Sequence, residues 1–321
     1  MTFDLPTLGM GTAAIGNLYR AMPDAEAHAA VQAALDAGIR YFDTAPHYGF
    51  GLAEERLGAV IEGRGDVIVS TKVGRLLVPT GATGERHGFV DARPFEPVFD
   101  YSHDAILRSH EESLRRLRRD RVEILFAHDI GRLTHGDAHE AMLARFLDGG
   151  YRAMRRLRDE GAIDAIGIGV NEVAICLDLL ERVELDMILL AGRHTLLDRS
   201  AAETLLPLCE AKGVRVIVGG PYNSGILARP LAEATNLHYD YAAPPPAMVA
   251  KARAIEAEAQ RFGVSLPVAA LHFPLRHPAV ASVIPGMANA AEVADTVARL
   301  AVPVPEAMWA AIDGLSVDPA L

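Results

Sequence analysis

VEILFAHD, residues 122–129, is the stretch on which the fold turns. It is short, rich in β-formers, apolar almost to its end, and it stops abruptly on His and Asp. A strand with one wet face alternates apolar and polar side chains, whereas a strand covered on both faces reads as a continuous apolar run. The same signature recurs at LPTLGMGT (5–12), IRYFDTA (39–45), VIVSTK (67–72), IDAIGIGV (163–170), DMILLAG (186–192), VRVIVGG (214–220) and VASVIPG (280–286). These runs predict eight strands of a parallel sheet buried on both faces.

The segments between them carry helical periodicity. DAEAHAAVQAALDAG (24–38) opens on an Asp suited to cap a helix and closes at Gly38. SHDAILRSHEESLRRLR (102–118) sets Ile106, Leu107, Ser113, Leu114 and Leu117 along one side, with Ser102 as the candidate cap. GGYRAMRRLRDEG (149–161), SAAETLLPLCEAKG (200–213) and AMVAKARAIEAEAQRFG (247–263) read in the same way. Eight strands alternating with helices predict an α/β fold, a (β/α)8 TIM barrel, as a single domain over residues 1–321. The competitor is a doubly wound open sheet, which leads one to expect a Gly-rich dinucleotide fingerprint. GMGTAAIG (9–16) matches that fingerprint only loosely. Residues 74–101 and 221–246 form long loops after strands three and seven, and both are expected over the catalytic face.

Composition narrows the partners. The chain has 321 residues, 50% of them apolar, and a formal net charge of −11. That charge disfavours nucleic acid and anionic membrane surfaces. No run of about 18 apolar residues suggests a membrane span, and MTFDLPTLGMGTAAIG does not read as a signal peptide. Cys176 and Cys209 make neither a disulfide framework nor a zinc motif. A cytoplasmic protein, monomeric or a small homo-oligomer, is the expectation. The cluster Arg115, Arg116, Arg118, Arg119 and Arg121 reads as a solvated helix face.

Four polar groups stand at strand ends. Asp43 and Lys72 close neighbouring strands, Tyr48 follows Asp43 in the loop, and His128 closes the next strand. A charge at the end of a buried strand is costly unless paired, so Asp43 and Lys72 are expected to pair. A Lys beside Tyr48 favours the phenolate, and His128 can donate to a substrate oxygen. Read without further knowledge, the set is a plausible proton-transfer site, or else a strand-end ion pair beside an unrelated Tyr and His.

FDTAPHYG (42–49), STKVG (70–74), the strand ending in His128, GIGVN (167–171) and VIPG (283–286) resemble the aldo-keto reductases, in order and spacing along nearly the whole chain. The resemblance implies a (β/α)8 barrel and a bound nicotinamide cofactor. It also implies a tetrad in which Tyr48 is the acid/base, Lys72 lowers its pKa, Asp43 holds Lys72 and His128 orients the substrate. GIGVNE (167–172), GRHTLLD (192–198) and GGPYNSGIL (219–227) are similar to the aldose 1-dehydrogenase branch, to which a pyridoxal 4-dehydrogenase is also similar. That branch implies oxidation of a cyclic hemiacetal hydroxyl to a lactone.

On the same resemblance the cofactor would be held by Gly11, Thr12, Asp43, Asn171, Gly219, Pro221, Tyr222, Asn223, Ser224, Gly225, Leu227, Pro285, Gly286, Met287, Ala288 and Glu292. The substrate would meet His47, Tyr48, Phe50, Tyr101 and His128, with no metal. Arg75, Arg86 and Arg93 could select an acidic group or only face water. The sequence departs from the wider family at Ala191, where many members carry Gln, and at Gly219, where many carry an aromatic that stacks on nicotinamide. Tyr222 could supply that stacking. His194 stands where relatives often have Tyr. After Gly286 no Lys or Arg appears up to Glu292, so NAD is expected over NADP, unless a loop residue such as Arg229 supplies the charge. Competing readings are an NADPH-dependent aldehyde or ketone reductase, a cofactor-binding sensor of low turnover, and a barrel metal hydrolase using Asp43, His47 and His128.

Overall fold

The structure is a computed structural model that describes residues 4–233, 237–240 and 242–315. Eight parallel strands lie in the order β1 (Met10–Gly11), β2 (Tyr41–Asp43), β3 (Ile68–Val73), β6 (Ile124–His128), β7 (Ala165–Val170), β8 (Met187–Ala191), β9 (Arg215–Gly219) and β10 (Val280–Ile284). Parallel bridges from Leu8 to Val283 and from Gly11 to Gly286 join the last strand to the first. The sheet therefore closes into the expected (β/α)8 barrel.

Period-two alternation sorts the side chains. Phe42, Val69, Val73, Leu125 and Ala127 point outward into the layer between sheet and helices. Tyr41, Ile124, Phe126, Ala165, Met187, Leu189 and Ile217 fill the barrel interior. Both sets are apolar, which is why the strands read as continuous runs. The same alternation turns Asp43, Lys72 and His128 inward at the C-terminal ends of their strands. The predicted strand over 5–12 shortens to two residues, and only the bridges at Leu8 and Gly11 continue it.

The helices α1 (Asp24–Asp36), α3 (His103–Leu117), α6 (Tyr151–Asp159), α8 (Leu205–Lys212) and α9 (Pro246–Arg261) fall where periodicity places them. Pro23, not Asp24, is the cap of α1. Helix α2 (Leu52–Ile61) buries Ala53, Leu57 and Ile61 at helical spacing, and with them the charged Glu54 and Arg56. Glu54 accepts from Thr71 at 2.6 Å and from Arg116 at 2.6 Å. Arg56 donates to the Ile15 carbonyl, the Asn17 side chain and the Met22 carbonyl, all within 2.7 Å, and so pins the first loop to the barrel.

Residues 74–101 are not a plain loop. They carry an antiparallel hairpin, β4 (Arg75–Pro79) with β5 (Phe95–Phe99), that stands off the barrel rim. Its connection returns Phe89 to pack with Phe50 and Leu77 beside Tyr48. The Tyr19 amide donates to the Gly88 carbonyl at 2.8 Å, and the Tyr19 ring stacks on His238 at 6.2 Å. The loops after β1, β3 and β9 thus meet around one mouth. No helix among the described residues is long and apolar enough to cross a membrane.

Candidate active site

A chain of polar groups rises through the barrel interior to this mouth. The Tyr41 hydroxyl lies 2.9 Å from Ser70 Oγ, Ser70 Oγ donates to Asp43 Oδ1 at 2.6 Å, and Lys72 Nζ donates to Asp43 Oδ2 at 2.7 Å. Register explains the geometry: Asp43 sits opposite Ser70, and Lys72 is the next inward position up β3. Gly169 on β7 packs beside the Lys72 stem, where even a Cβ would stand in ordinary contact at 3.4 Å. Lys72 also donates to the Thr44 carbonyl at 2.8 Å.

Asp43 and Lys72 are only 2% and 1% exposed, so their pairing is decided by burial and charge together. Burial works against the Lys72 ammonium. The Asp43 carboxylate and the Tyr48 hydroxyl outweigh it and hold Lys72 above its ordinary range. Burial raises the Asp43 carboxyl, and Lys72 and Ser70 pull it back. The result is a cation fixed 4.7 Å from the centroid of the Tyr48 ring.

Tyr48 stands on the loop between β2 and α2, half-buried at the mouth. Two glycines hold that loop down. Gly49 has φ +63°, and a Cβ on it would come within 2.4 Å of the Gly16 carbonyl oxygen. No other residue permits that approach of the two loops. His128 faces Tyr48 edge-on at 6.3 Å, and His47 stands 6.0 Å from His128. Burial drives His128 and His47 well below the ordinary imidazole value, helped by Arg75 and by other neighbouring cations. Both rings are therefore neutral near pH 7. Nδ1 of each is buried without a hydrogen-bond partner among the described residues.

The cofactor candidates gather on the opposite side of the mouth. Asn223 and Ser224 have φ of +45° and +58°, Gly225 has +104°, and this tight turn follows β9. Asn223 is buried and donates to the Gly192 carbonyl at 3.3 Å, while its Oδ1 has no partner. An orphaned buried acceptor beside a left-handed turn fits a ligand that carries amide or phosphate groups. Gly219, Pro221 and Tyr222 lead into this turn. Pro285, Gly286, Met287 and Ala288 leave the neighbouring strand β10, with open space above Gly286. Asn171 follows β7 directly, and Arg193 donates to its carbonyl at 2.6 Å.

Several expected contacts fall differently. Tyr101 does not line the pocket: it is fully buried, and its hydroxyl donates to the His128 carbonyl at 2.6 Å, which braces the strand end from behind. Phe50 is likewise buried, beneath the Arg86 guanidinium at 4.6 Å. Thr12 spends its hydroxyl on the Asp43 carbonyl at 2.9 Å, and Met287 and Leu227 are core residues. Glu292 caps α11 (Ala290–Leu300): it accepts from the Ala288 amide at 2.8 Å and from Asn289 Nδ2 at 3.0 Å, while Asn289 caps the Glu292 amide. Arg86 is taken up by Glu96 and Arg93 by Glu55. Ser70 and Tyr41, which the sequence reading passed over, prove to be the supports of Asp43.

The Aldo/keto reductase family model matches residues 7–317. The chain belongs to the aldo-keto reductase family. It is 38% identical to the pyridoxal 4-dehydrogenase of Microbacterium luteolum, over 94% of this chain and 91% of the relative. It is 36% identical to the D-threo-aldose 1-dehydrogenase of a Pseudomonas species, over 95% and 92%. Among solved structures, an aldo-keto reductase from Bacillus halodurans superposes with a TM-score of 0.71 at 27% identity, over 96% of this chain and 91% of that one. This aldo-keto reductase is an NAD(P)-dependent oxidoreductase. Among its described residues no cluster of His, Cys, Asp or Glu is placed to hold a metal.

Proposed function

We propose that this aldo-keto reductase oxidises the C1 hydroxyl of a cyclic aldose, of the L-fucose, D-arabinose or L-galactose type, to the lactone. One observation carries the chemistry: a buried, paired Lys72 beneath a half-exposed Tyr48, with a neutral His128 facing it. The Lys72 charge stabilises negative charge on the Tyr48 oxygen, so Tyr48 takes the hydroxyl proton as the C1–O bond becomes a carbonyl. His128, uncharged, orients the same oxygen by a hydrogen bond without competing for the proton. Asp43 keeps Lys72 protonated and in place. The names of the relatives at 36–38% identity support a hemiacetal or aldehyde-derived substrate.

When bound, the nicotinamide cofactor supplies the hydride acceptor. Asn171 would hold its carboxamide, Asn223, Ser224 and Gly225 its pyrophosphate, and Tyr222 the ring face that Gly219 lacks. NAD+ is favoured over NADP+. No basic residue stands between Gly286 and Glu292, and Arg20, which feels the Glu292 charge, is paired with Glu26. A second reading, pyridoxal 4-dehydrogenation, is favoured by the relative at 38% identity and uses the same proton-transfer groups. Absorbance at 340 nm with NAD+ or NADP+ against L-fucose, D-arabinose, L-galactose, D-glucose and pyridoxal separates the two. Reduction of NAD+ by one sugar supports the aldose reading; turnover of pyridoxal alone replaces it.

A further inference from the structure

The hairpin brings one more charged group to the mouth. Arg75, its first residue, forms an ion pair with Asp129 and lies over the Phe99 ring at 4.7 Å. Asp129 follows His128 directly, and its Oδ2 lies 3.6 Å from His128 Nε2. Its backbone lies in the left-handed region, φ +49°, and its amide donates a hydrogen bond to the Gly169 carbonyl at 2.9 Å. The Arg75 and Asp129 side chains keep 12% and 18% exposure, against 1% and 2% for Lys72 and Asp43. Proton transfer at Tyr48 uses neither of them.

We infer that the Arg75–Asp129 pair binds the hydroxyl on the carbon next to the one oxidised, and so selects 2-hydroxy hemiacetals. An oxygen held by His128 lies within a few ångströms of Asp129 Oδ2, so the substituent one carbon away falls against the pair. A neutral hydroxyl both donates and accepts. It can donate to the Asp129 carboxylate while accepting from the Arg75 guanidinium, and the pair carries no net charge that would call for an anion. An ionised ring oxygen can only accept, and it would meet the Asp129 charge. A deoxy carbon forfeits both of these hydrogen bonds in a half-buried site, which is how enzymes built to bind a hydroxyl reject an analogue that lacks it.

This inference rests on the aldose reading, and its test keeps the two apart. The probes are D-arabinose against 2-deoxy-D-erythro-pentose, and L-fucose against 2-deoxy-L-fucose, with kcat/KM measured under NAD+. The wild-type enzyme should prefer each 2-hydroxy sugar by at least ~10-fold, the scale of one hydrogen bond to a charged group. In Arg75→Met and Asp129→Asn that preference should shrink to within about threefold of unity, through loss on the 2-hydroxy sugar and not on its deoxy analogue. Asn tolerates the left-handed backbone, so Asp129→Asn decides the question should Arg75→Met fail to fold. A preference unchanged in a folded variant overturns the inference and leaves the aldose reading standing. Absence of sugar oxidation by the wild-type enzyme removes the reading and the inference together.

Discussion

Replacing Asp43 with Ala should damage stability and turnover by separable amounts. The carboxylate accepts from Lys72 at 2.7 Å and from Ser70 at 2.6 Å, and its loss leaves the ammonium with the Thr44 carbonyl and Tyr48. Breaking a buried ion pair from one side costs about 3–5 kcal/mol. The cost has a ceiling, because Lys72 can shed its proton instead. From an ordinary value of 10.5, neutralising an amine at pH 7 costs about 4.8 kcal/mol at 1.36 kcal/mol per pKa unit. Either way the positive charge beside Tyr48 is weakened, and turnover should fall by at least ~10²-fold. The double variant Asp43→Ala/Lys72→Met carries no orphaned charge. It should regain all but ~1–2 kcal/mol of stability while remaining inactive, since buried pairs are often replaceable by apolar groups. Urea unfolding at pH 7, followed by the fluorescence of the single, buried Trp309, gives the three stabilities. Additive losses in the double variant, or a single variant within 1 kcal/mol of wild type, would refute the reasoning.

Two further outcomes follow from the same structure. The His194 ring is buried against Phe273 without a good partner for either nitrogen, and burial, with His277, Arg199 and Arg276, pushes its pKa down to about 4. The unfolded chain takes up a proton below 6.5 that the folded chain refuses until about 4, so this residue's contribution to stability is lost as pH falls through that window. The loss from pH 7 to pH 5 should be ~2 kcal/mol larger in wild type than in His194→Leu, with His47 and His128 adding the same acid sensitivity to both; parallel denaturation curves would contradict this. Glu292→Arg should cost ~1 kcal/mol through the lost cap on α11 and should shift the kcat/KM ratio toward NADP+ by ~10-fold or more. A ratio that stays put would mean this segment does not face the 2′ position of the cofactor.

The barrel was legible because the strands are apolar on both faces, and the three polar strand ends, Asp43, Lys72 and His128, broke that pattern where the mouth lies. Asp43, Tyr48, Lys72 and His128 were readable as a set, since burial makes an unpaired charge improbable and register brings neighbouring strand ends together. Tyr101 and Glu292 show what the sequence leaves open: a polar side chain can serve the backbone as readily as a ligand, and only coordinates say which carbonyl or amide it meets. Ser70 and Tyr41 went unseen because they lie below the strand ends, inside a run that reads as core. The hairpin was hidden by its composition, with prolines at both strands and an exposed edge, and Asp129 drew no notice beside His128 until Arg75 was found paired to it.

The central claim is that Tyr48 moves the proton in a nicotinamide-dependent oxidation, and Tyr48→Phe tests it most directly. The ring and its packing against Phe89 and His128 persist in that variant; only the hydroxyl is removed. With the best sugar of the panel and saturating NAD+, NADH formation at 340 nm should fall by at least ~10²-fold, while the Kd for NAD+, read by fluorescence titration, stays within about twofold of wild type. Near-normal turnover with unchanged cofactor binding would contradict the account and take Tyr48 out of the proton-transfer role.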